Sequence, residues 1–256
     1  MRRLSRVAAV VFDCDSTLSA LEGIDELAGP KRAEVEELTD AAMRGDVRLD
    51  AVYGRRLDLI RPTSADVAAL GRRYVDAIVP DAAEVVAALT FEGVEVRVMS
   101  GGLLPAVVAV ADALGIPRHR VAAVDVRFDG DGQYAGFDSR SPLARSGGKR
   151  EVMAHWRAEV GGPVMMVGDG VTDLETRGVA DVFVAYAGVV HRPAVVEEAD
   201  VVIRSPSLAP VLPLALGGDP PRSEPARRLW ARGLELLDPE YRAFLRTPNV
   251  SNGSWK

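Results

Sequence analysis

Only one cysteine, Cys14, occurs in the 256 residues, so no internal disulfide can staple the fold. That scarcity fits a reducing compartment. The chain also lacks a basic excess: 31 Lys and Arg stand against 37 Asp and Glu, a net charge of -6. A balance of that sign has nothing to draw nucleic acid or an anionic membrane, and neither is expected as a partner. Long uncharged apolar runs are missing too. The start Met1-Arg2-Arg3 followed by the apolar run Val7 to Phe12 loosely imitates a secretory leader, but the run stops at Asp13 with no small-residue cleavage pattern, and no later segment is suited to span a bilayer. A cytoplasmic location is therefore expected, and the formal glycosylation acceptor Asn249-Val250-Ser251 carries no weight. There are no internal repeats or low-complexity tracts. With 48% hydrophobic residues, the chain can bury the core of one domain carrying an insertion or a second small domain.

Val- and Met-rich runs at Val7 to Phe12, Val94 to Met99, Val164 to Val167 and Val182 to Ala185 read as buried strands, because they do not alternate and each ends in Gly, Asp or Ser. Helical patterns lie between them: Ala82 to Leu89, Leu104 to Leu114, Arg150 to Val160 and Pro193 to Ala199. Strands alternating with helices imply an α/β fold with a doubly wound parallel sheet, a Rossmann-like core. Ligands of such sheets bind beyond the carboxyl ends of the strands, where the polar residues closing each run converge. One stretch breaks the alternation, with helical periodicity at Ala33 to Met43, Leu49 to Ile60 and Ala65 to Val75 and no strand. It predicts a small helical cap inserted after the first strand. The expected division is residues 1–20 and 79–216 for the catalytic core, 21–78 for the cap and 217–256 for a C-terminal extension. That extension should hold a helix from about Pro225 to Leu237, packed on the core, and then a polar tail. The segment Val121 to Phe137 carries Asp129-Gly130-Asp131-Gly132 between β-branched and aromatic residues, a hairpin signal. The calcium-loop alternative fails because the later acidic ligands and the distal Glu are absent.

The chemistry starts at Asp13-Cys14-Asp15-Ser16-Thr17, where two carboxylates two residues apart leave an extended segment on the same side. A carboxylate attacking phosphorus forms an aspartyl-phosphate and splits one hard displacement into two easier ones. The second carboxylate can protonate the leaving alkoxide and then accept a proton from water. Both repel a phosphate, and a hard divalent cation, Mg²⁺, resolves the repulsion. An isolated pair of this spacing is as well read as a helix cap, so the later motifs decide. Met99-Ser100-Gly101-Gly102 offers a hydroxyl and backbone N–H groups for phosphate oxygens. Gly147-Gly148-Lys149 offers a cation at a helix start, without the spacing of a P-loop. Gly168-Asp169-Gly170-Val171-Thr172-Asp173 again presents two carboxylates after an apolar strand, with Asp169 placed to ligate the metal and Asp173 to support Lys149 or a metal-bound water. Cys14 should point away from the site and pack, and His119, His155 and His191 show no metal spacing.

In this order the four motifs resemble the haloacid dehalogenase superfamily, and its members with a second aspartate and a metal are phosphatases. The resemblance implies Asp13 as nucleophile, Asp15 as acid and base, Ser100, Gly101 and Lys149 as phosphate-binding residues, and Mg²⁺ held by Asp13, Asp169 and Asp15, the last through its backbone carbonyl. It extends over roughly Val10 to Leu214 to the phosphoserine phosphatases. Phe12 to Ala28, reading FDCDSTLSALEGIDELA, is similar to their nucleophile segment, and Ala42-Met43-Arg44-Gly45 and Arg56-Leu57-Asp58-Leu59-Ile60 are similar to their cap. This implies hydrolysis of O-phospho-L-serine, a small phosphomonoester, with Glu22 for the ammonium, Arg56 for the carboxylate, Met43 as an apolar cover, and Gly102 and Thr172 also against substrate. A fixed anion and a fixed cation suit a zwitterion, and the arginine fork suits a carboxylate. Whether Arg56 or its neighbour Arg55 faces the site depends on the phase of the helix. Transfer of the phosphoryl group to another alcohol, another small phosphomonoester, a catalytically silent relative and a homodimer all stay open at this level.

Overall fold

The computed structural model describes residues 5–43, 47 and 49–246. Strand β1 (Ala9–Phe12) is followed by the helices α1 (Gly23–Leu27), α2 (Arg32–Met43), α3 (Leu49–Ile60) and α4 (Ser64–Asp76). Then come α5 (Ala82–Phe91), β2 (Glu95–Leu103), α6 (Leu104–Ala113), β3 (Val121–Val124), β4 (Val126–Phe128) and β5 (Tyr134–Phe137). The chain continues through α7 (Gly148–Val160), β6 (Val164–Gly168), α8 (Val171–Leu174), β7 (Val182–Tyr186), α9 (Pro193–Glu198), β8 (Val201–Ile203), α10 (Val211–Ala215), α11 (Glu224–Leu236) and α12 (Pro239–Arg246).

Six parallel strands form one sheet in the order β3-β2-β1-β6-β7-β8. β1, β6 and β7 are buried along their whole length, which is why their sequences run apolar without alternation. From β1 the chain winds outward to β2 and β3 on one side, and later to β6, β7 and β8 on the other. The switch between the two directions lies at β1 and β6, where a doubly wound sheet opens its ligand crevice. The Asp13 N–H still donates to the Val167 carbonyl at 2.9 Å, so the two central strands stay paired up to the first catalytic candidate.

Four expectations are refined by these elements. The sheet gains two edge strands, β3 and β8, too short to stand out as apolar runs. Val121 to Val124 joins the main sheet, so the hairpin is only β4 and β5 around the turn at Asp129. β2 runs on through Ser100-Gly101-Gly102, with a register shift against β3 between Met99 and Leu103 that absorbs the glycines. Part of what read as a polar tail is α12, whose Leu245 is buried. α11 packs on α5 and α10, with Arg232 paired to Asp81 at 2.9 Å and Arg222 to Glu92 at 3.2 Å.

The helical stretch between β1 and α5 has a narrow base. Ser19 and Ile78 form an antiparallel bridge, flanked by Ala20 N–H to Ala77 O at 2.9 Å and Val79 N–H to Leu18 O at 3.0 Å. α4 then lies directly on α6, because Gly71 has no side chain to hold them apart. A Cβ there would stand 3.1 Å from the Ala109 Cβ. Thr63 and Asp66 cap the start of α4 reciprocally. The hairpin leans on the same helices, with Phe137 against Tyr53 of α3 at 5.2 Å between ring centres. Replacing Gly71→Leu should overpack the α4–α6 contact and cost about 1–3 kcal/mol, read as a lowered urea midpoint at an unchanged m-value.

Candidate active site

The turn after β1 is tightly wound. Thr17, Leu18 and Ser19 all donate their N–H to the Cys14 carbonyl, at 3.3, 3.0 and 3.0 Å. Ser16 sits in the left-handed region at φ 52°, an uncommon conformation for a residue with a side chain. This winding sets Asp13 and Asp15 toward one pocket and turns Cys14 into the core, where burial raises its thiol pKa and keeps it protonated. Asp13 Oδ1 accepts the Cys14 N–H at 2.8 Å and the Lys149 ammonium at 2.9 Å. Asp15 is held through both oxygens: Oδ1 accepts the Gly23 N–H at 2.7 Å and the Tyr74 hydroxyl, and Oδ2 accepts the Ser100 hydroxyl at 3.2 Å. Ser100 is fully buried, and its Oγ also accepts the Gly102 N–H at 2.9 Å. That N–H is therefore engaged, while Gly101 and Gly102 line the pocket.

Lys149 stands in the first turn of α7, which begins two residues earlier than its sequence pattern suggests. Its ammonium bridges Asp13 and Asp173, the latter at 2.6 Å. Asp173 spends its other oxygen on the Gly170 N–H at 3.0 Å, so both oxygens serve to fix Lys149 and the loop after β6. Asp169 follows β6 directly and accepts the Arg192 guanidinium at 3.0 Å and the Thr17 hydroxyl at 3.4 Å. The same guanidinium donates to Glu22 Oε1 at 3.0 Å, and Ser16 Oγ donates to that oxygen at 2.8 Å. Arg192 carries no motif: it precedes Pro193 at an ordinary helix start, and nothing local marks it as part of a site.

The helices after β1 supply the far wall. Arg56 is buried and lines the pocket while Arg55 is exposed, which resolves the phase of α3. Its guanidinium donates to Thr39 Oγ at 2.9 Å and lies over the Tyr53 ring at 5.5 Å. Asp25 accepts the Thr39 hydroxyl at 2.7 Å, and Tyr53 donates to the Gly101 carbonyl at 2.8 Å. The Arg56 Nε is buried with no hydrogen-bond partner among the described residues. Asp25, Tyr53, Leu143 and Arg145 also line the pocket and were not legible as site residues, because each is a common residue on an ordinary helix or loop. Thr172 lies on the rim of the same pocket. The side chain of Met43, and Arg44 and Gly45 after it, lie outside the described residues. His155 pairs at the surface with Glu159 at 3.1 Å.

Negative charge exceeds positive in this dry space. Burial, then Asp173, push the Asp13 carboxyl well above the usual range even with Lys149 opposing. Burial and Asp173 raise Asp169 to about 6 against the pull of Arg192, and burial and Asp15 raise Glu22 to about 8. Burial pulls the Lys149 ammonium down, but Asp13 and Asp173 outweigh it and hold it charged. Carboxylate oxygens of Asp13, Asp169 and Asp173 lie within 4.8 Å of one another. A crowd of hard oxygen donors short of positive charge fits a small divalent cation. With Asp173 committed to Lys149 and Gly170, Asp13 and Asp169 are the carboxylates suited to bind it.

A buried carboxylate paired with a buried ammonium at the switch point of a doubly wound sheet is equipment for phosphoryl transfer. Residues 7–181 match the model of the haloacid dehalogenase-like hydrolases, and the chain belongs to that family. It is 40% identical over 200 residues to the chloroplastic phosphoserine phosphatase of Arabidopsis thaliana, covering 76% of this chain and 68% of the relative. To the phosphoserine phosphatase of Homo sapiens it is 39% identical over 199 residues, 75% of this chain and 86% of that one. Among solved structures, a phosphoserine phosphohydrolase-like protein from Francisella tularensis superposes with a TM-score of 0.70 at 28% identity, over 77% of this chain and 95% of that one. A substrate-bound phosphoserine phosphatase complex shares the fold, with a TM-score of 0.70 at 23% identity, over 81% of this chain and 98% of that one.

Replacing Lys149→Met leaves Asp13 and Asp173 buried without their counter-charge. The variant should lose about 3–5 kcal/mol of stability, measured by urea unfolding in metal-free buffer, and lose activity with it.

Proposed function

We propose that the protein hydrolyses O-phospho-L-serine to L-serine and phosphate through a phosphorylated Asp13. The observation that carries the substrate is Arg56: a buried guanidinium, its Nε without a partner among the described residues, on the wall of the pocket that also holds Asp13, Asp15 and Lys149. A planar carboxylate satisfies that fork, and few neutral groups do. Glu22, whose Oε1 is already fixed by Ser16 and Arg192, offers Oε2 to the ammonium. Identity of about two residues in five to enzymes named for this substrate supports the same choice.

In the first step Asp13 Oδ2 attacks phosphorus, the bond from phosphorus to the serine oxygen breaks, and Asp15 gives its proton to that oxygen. In the second, water attacks the phospho-Asp13, Asp15 takes its proton, and phosphate leaves with the Asp13 carboxylate restored. Lys149 neutralises equatorial phosphate oxygens, joined by the Ser100 hydroxyl and the Gly101 backbone, while Thr172 and Gly102 border the substrate. Asp13, Asp169 and the Asp15 carbonyl would hold Mg²⁺, which would supply charge neutralisation at the phosphoryl group.

We assign residues 21–78 to a cap on a core of residues 1–20 and 79–216, with residues 217–256 as an extension. The paired segments at Ser19 and Ile78 are its base. No helix among the described residues is long and apolar enough to cross a membrane, and a single buried thiol suits the cytoplasm.

Phosphate release should be Mg²⁺-dependent and fastest with L-phosphoserine in a panel with phosphothreonine, phosphoethanolamine, sugar phosphates and an aryl phosphate. A panel without preference for phosphoserine overturns the substrate assignment. Arg56→Ala should raise KM for phosphoserine roughly 10–100-fold, the equivalent of a lost charge-assisted hydrogen bond. KM for phosphoethanolamine, which has no carboxylate, should stay within a few-fold, and equal effects on both would remove Arg56 from recognition.

A further inference from the structure

We infer that Tyr74 is a positioning residue for Asp15, holding the acid and base from the helical side of the pocket. The inference rests on the phosphatase reading above and adds a residue that none of its motifs contains. Tyr74 lies on α4 and is fully buried. Its hydroxyl donates to Asp15 Oδ1, the oxygen that also accepts the Gly23 N–H at 2.7 Å. A phenol O–H facing a carboxylate oxygen serves as the donor. An oxygen filled by two donors has little capacity left for exchange, and Oδ2, beside Ser100 and Gly102, becomes the atom that gives and takes the proton.

Two glycines shape the approach. A Cβ on Gly23 would overlap the Tyr74 hydroxyl, and a Cβ on Gly71, one turn before Tyr74, would press on Ala109 of α6. Both positions concede a side chain, and the result is a phenol brought to a carboxylate across the boundary between the helical insertion and the core. Asp15 is thereby held by donors from both sides: Gly23 and Tyr74 from the insertion, Ser100 from β2. The hydrogen bonds that hold the acid thus come from both parts at once.

The test is Tyr74→Phe, which keeps the ring and removes the donor. An alkyl ester needs its leaving oxygen protonated, whereas p-nitrophenolate leaves without a proton. Single-turnover release of serine from phosphoserine should therefore fall roughly 10–100-fold, a part of the usual range for general acid catalysis. Release of p-nitrophenolate from its phosphate should change less than about threefold, and KM for phosphoserine should hold, since Tyr74 does not touch the substrate. Equal losses on both esters with a lowered melting temperature would make the role structural, and no loss on either would overturn it. If the parent protein spares phosphoserine but cleaves another alkyl monoester, the substrate assignment fails alone, because the alkyl-to-aryl ratio is then read on that ester. A parent protein inactive on every ester would overturn both readings.

Discussion

The contact between Lys149 and its two carboxylates is the interaction on which the site depends. An ammonium almost out of water, 2.9 Å from Asp13 and 2.6 Å from Asp173, is tolerable only because each charge is matched and hydrogen bonded. The pairing also dictates geometry. Asp173 must stay pinned to the Gly170 N–H, Lys149 must sit in the first turn of α7, and Asp13 must present the oxygen that Lys149 leaves unoccupied. Three strands and helices distant in sequence are thereby locked to one point on the sheet edge.

That cluster is still short of positive charge. Asp13, Asp169 and Glu22 all have carboxyl pKa values above their ordinary range, since burial strips them of water and a neighbouring carboxylate, Asp173 for Asp13 and Asp169, and Asp15 for Glu22, adds repulsion. Two cationic side chains, Lys149 and Arg192, offset only part of it. A dianionic phosphate cannot enter such a place without further positive charge, and a divalent cation among the aspartates would supply it. Arg192 bridges Asp169 and Glu22 and so ties the loop after β6 to the segment before α1.

The helical insertion contributes the opposite requirement, selectivity. Arg56 is stacked near Tyr53 and steadied by Thr39, which is in turn bonded to Asp25, so its orientation is fixed before substrate arrives. Preorganisation of this kind lowers the ordering cost of binding. The same insertion delivers Gly23 and Tyr74 to Asp15, so recognition and proton transfer are built from one set of helices.

The sequence by itself determined the sheet class, the four motifs and their order, because buried parallel strands are continuous apolar runs, and the motifs at Asp13 and Asp169 follow two of them directly. Asp13, Asp15, Lys149 and Asp169 could be picked out because each sits in a short polar motif at a strand end or a helix start. The short edge strands β3 and β8 and the last helix were not, since three or four residues, or a half-polar segment, give too little periodicity. What only the tertiary structure decided are the contacts that cross between motifs. Arg56 rather than Arg55 faces the pocket because the packing of α3 sets its phase. Arg192 and Tyr74 reach carboxylates 23 and 59 positions away in the chain, and no local pattern encodes a hydrogen bond over that separation. It exists because the winding of the sheet and the close α4–α6 contact bring those side chains to the same few ångströms.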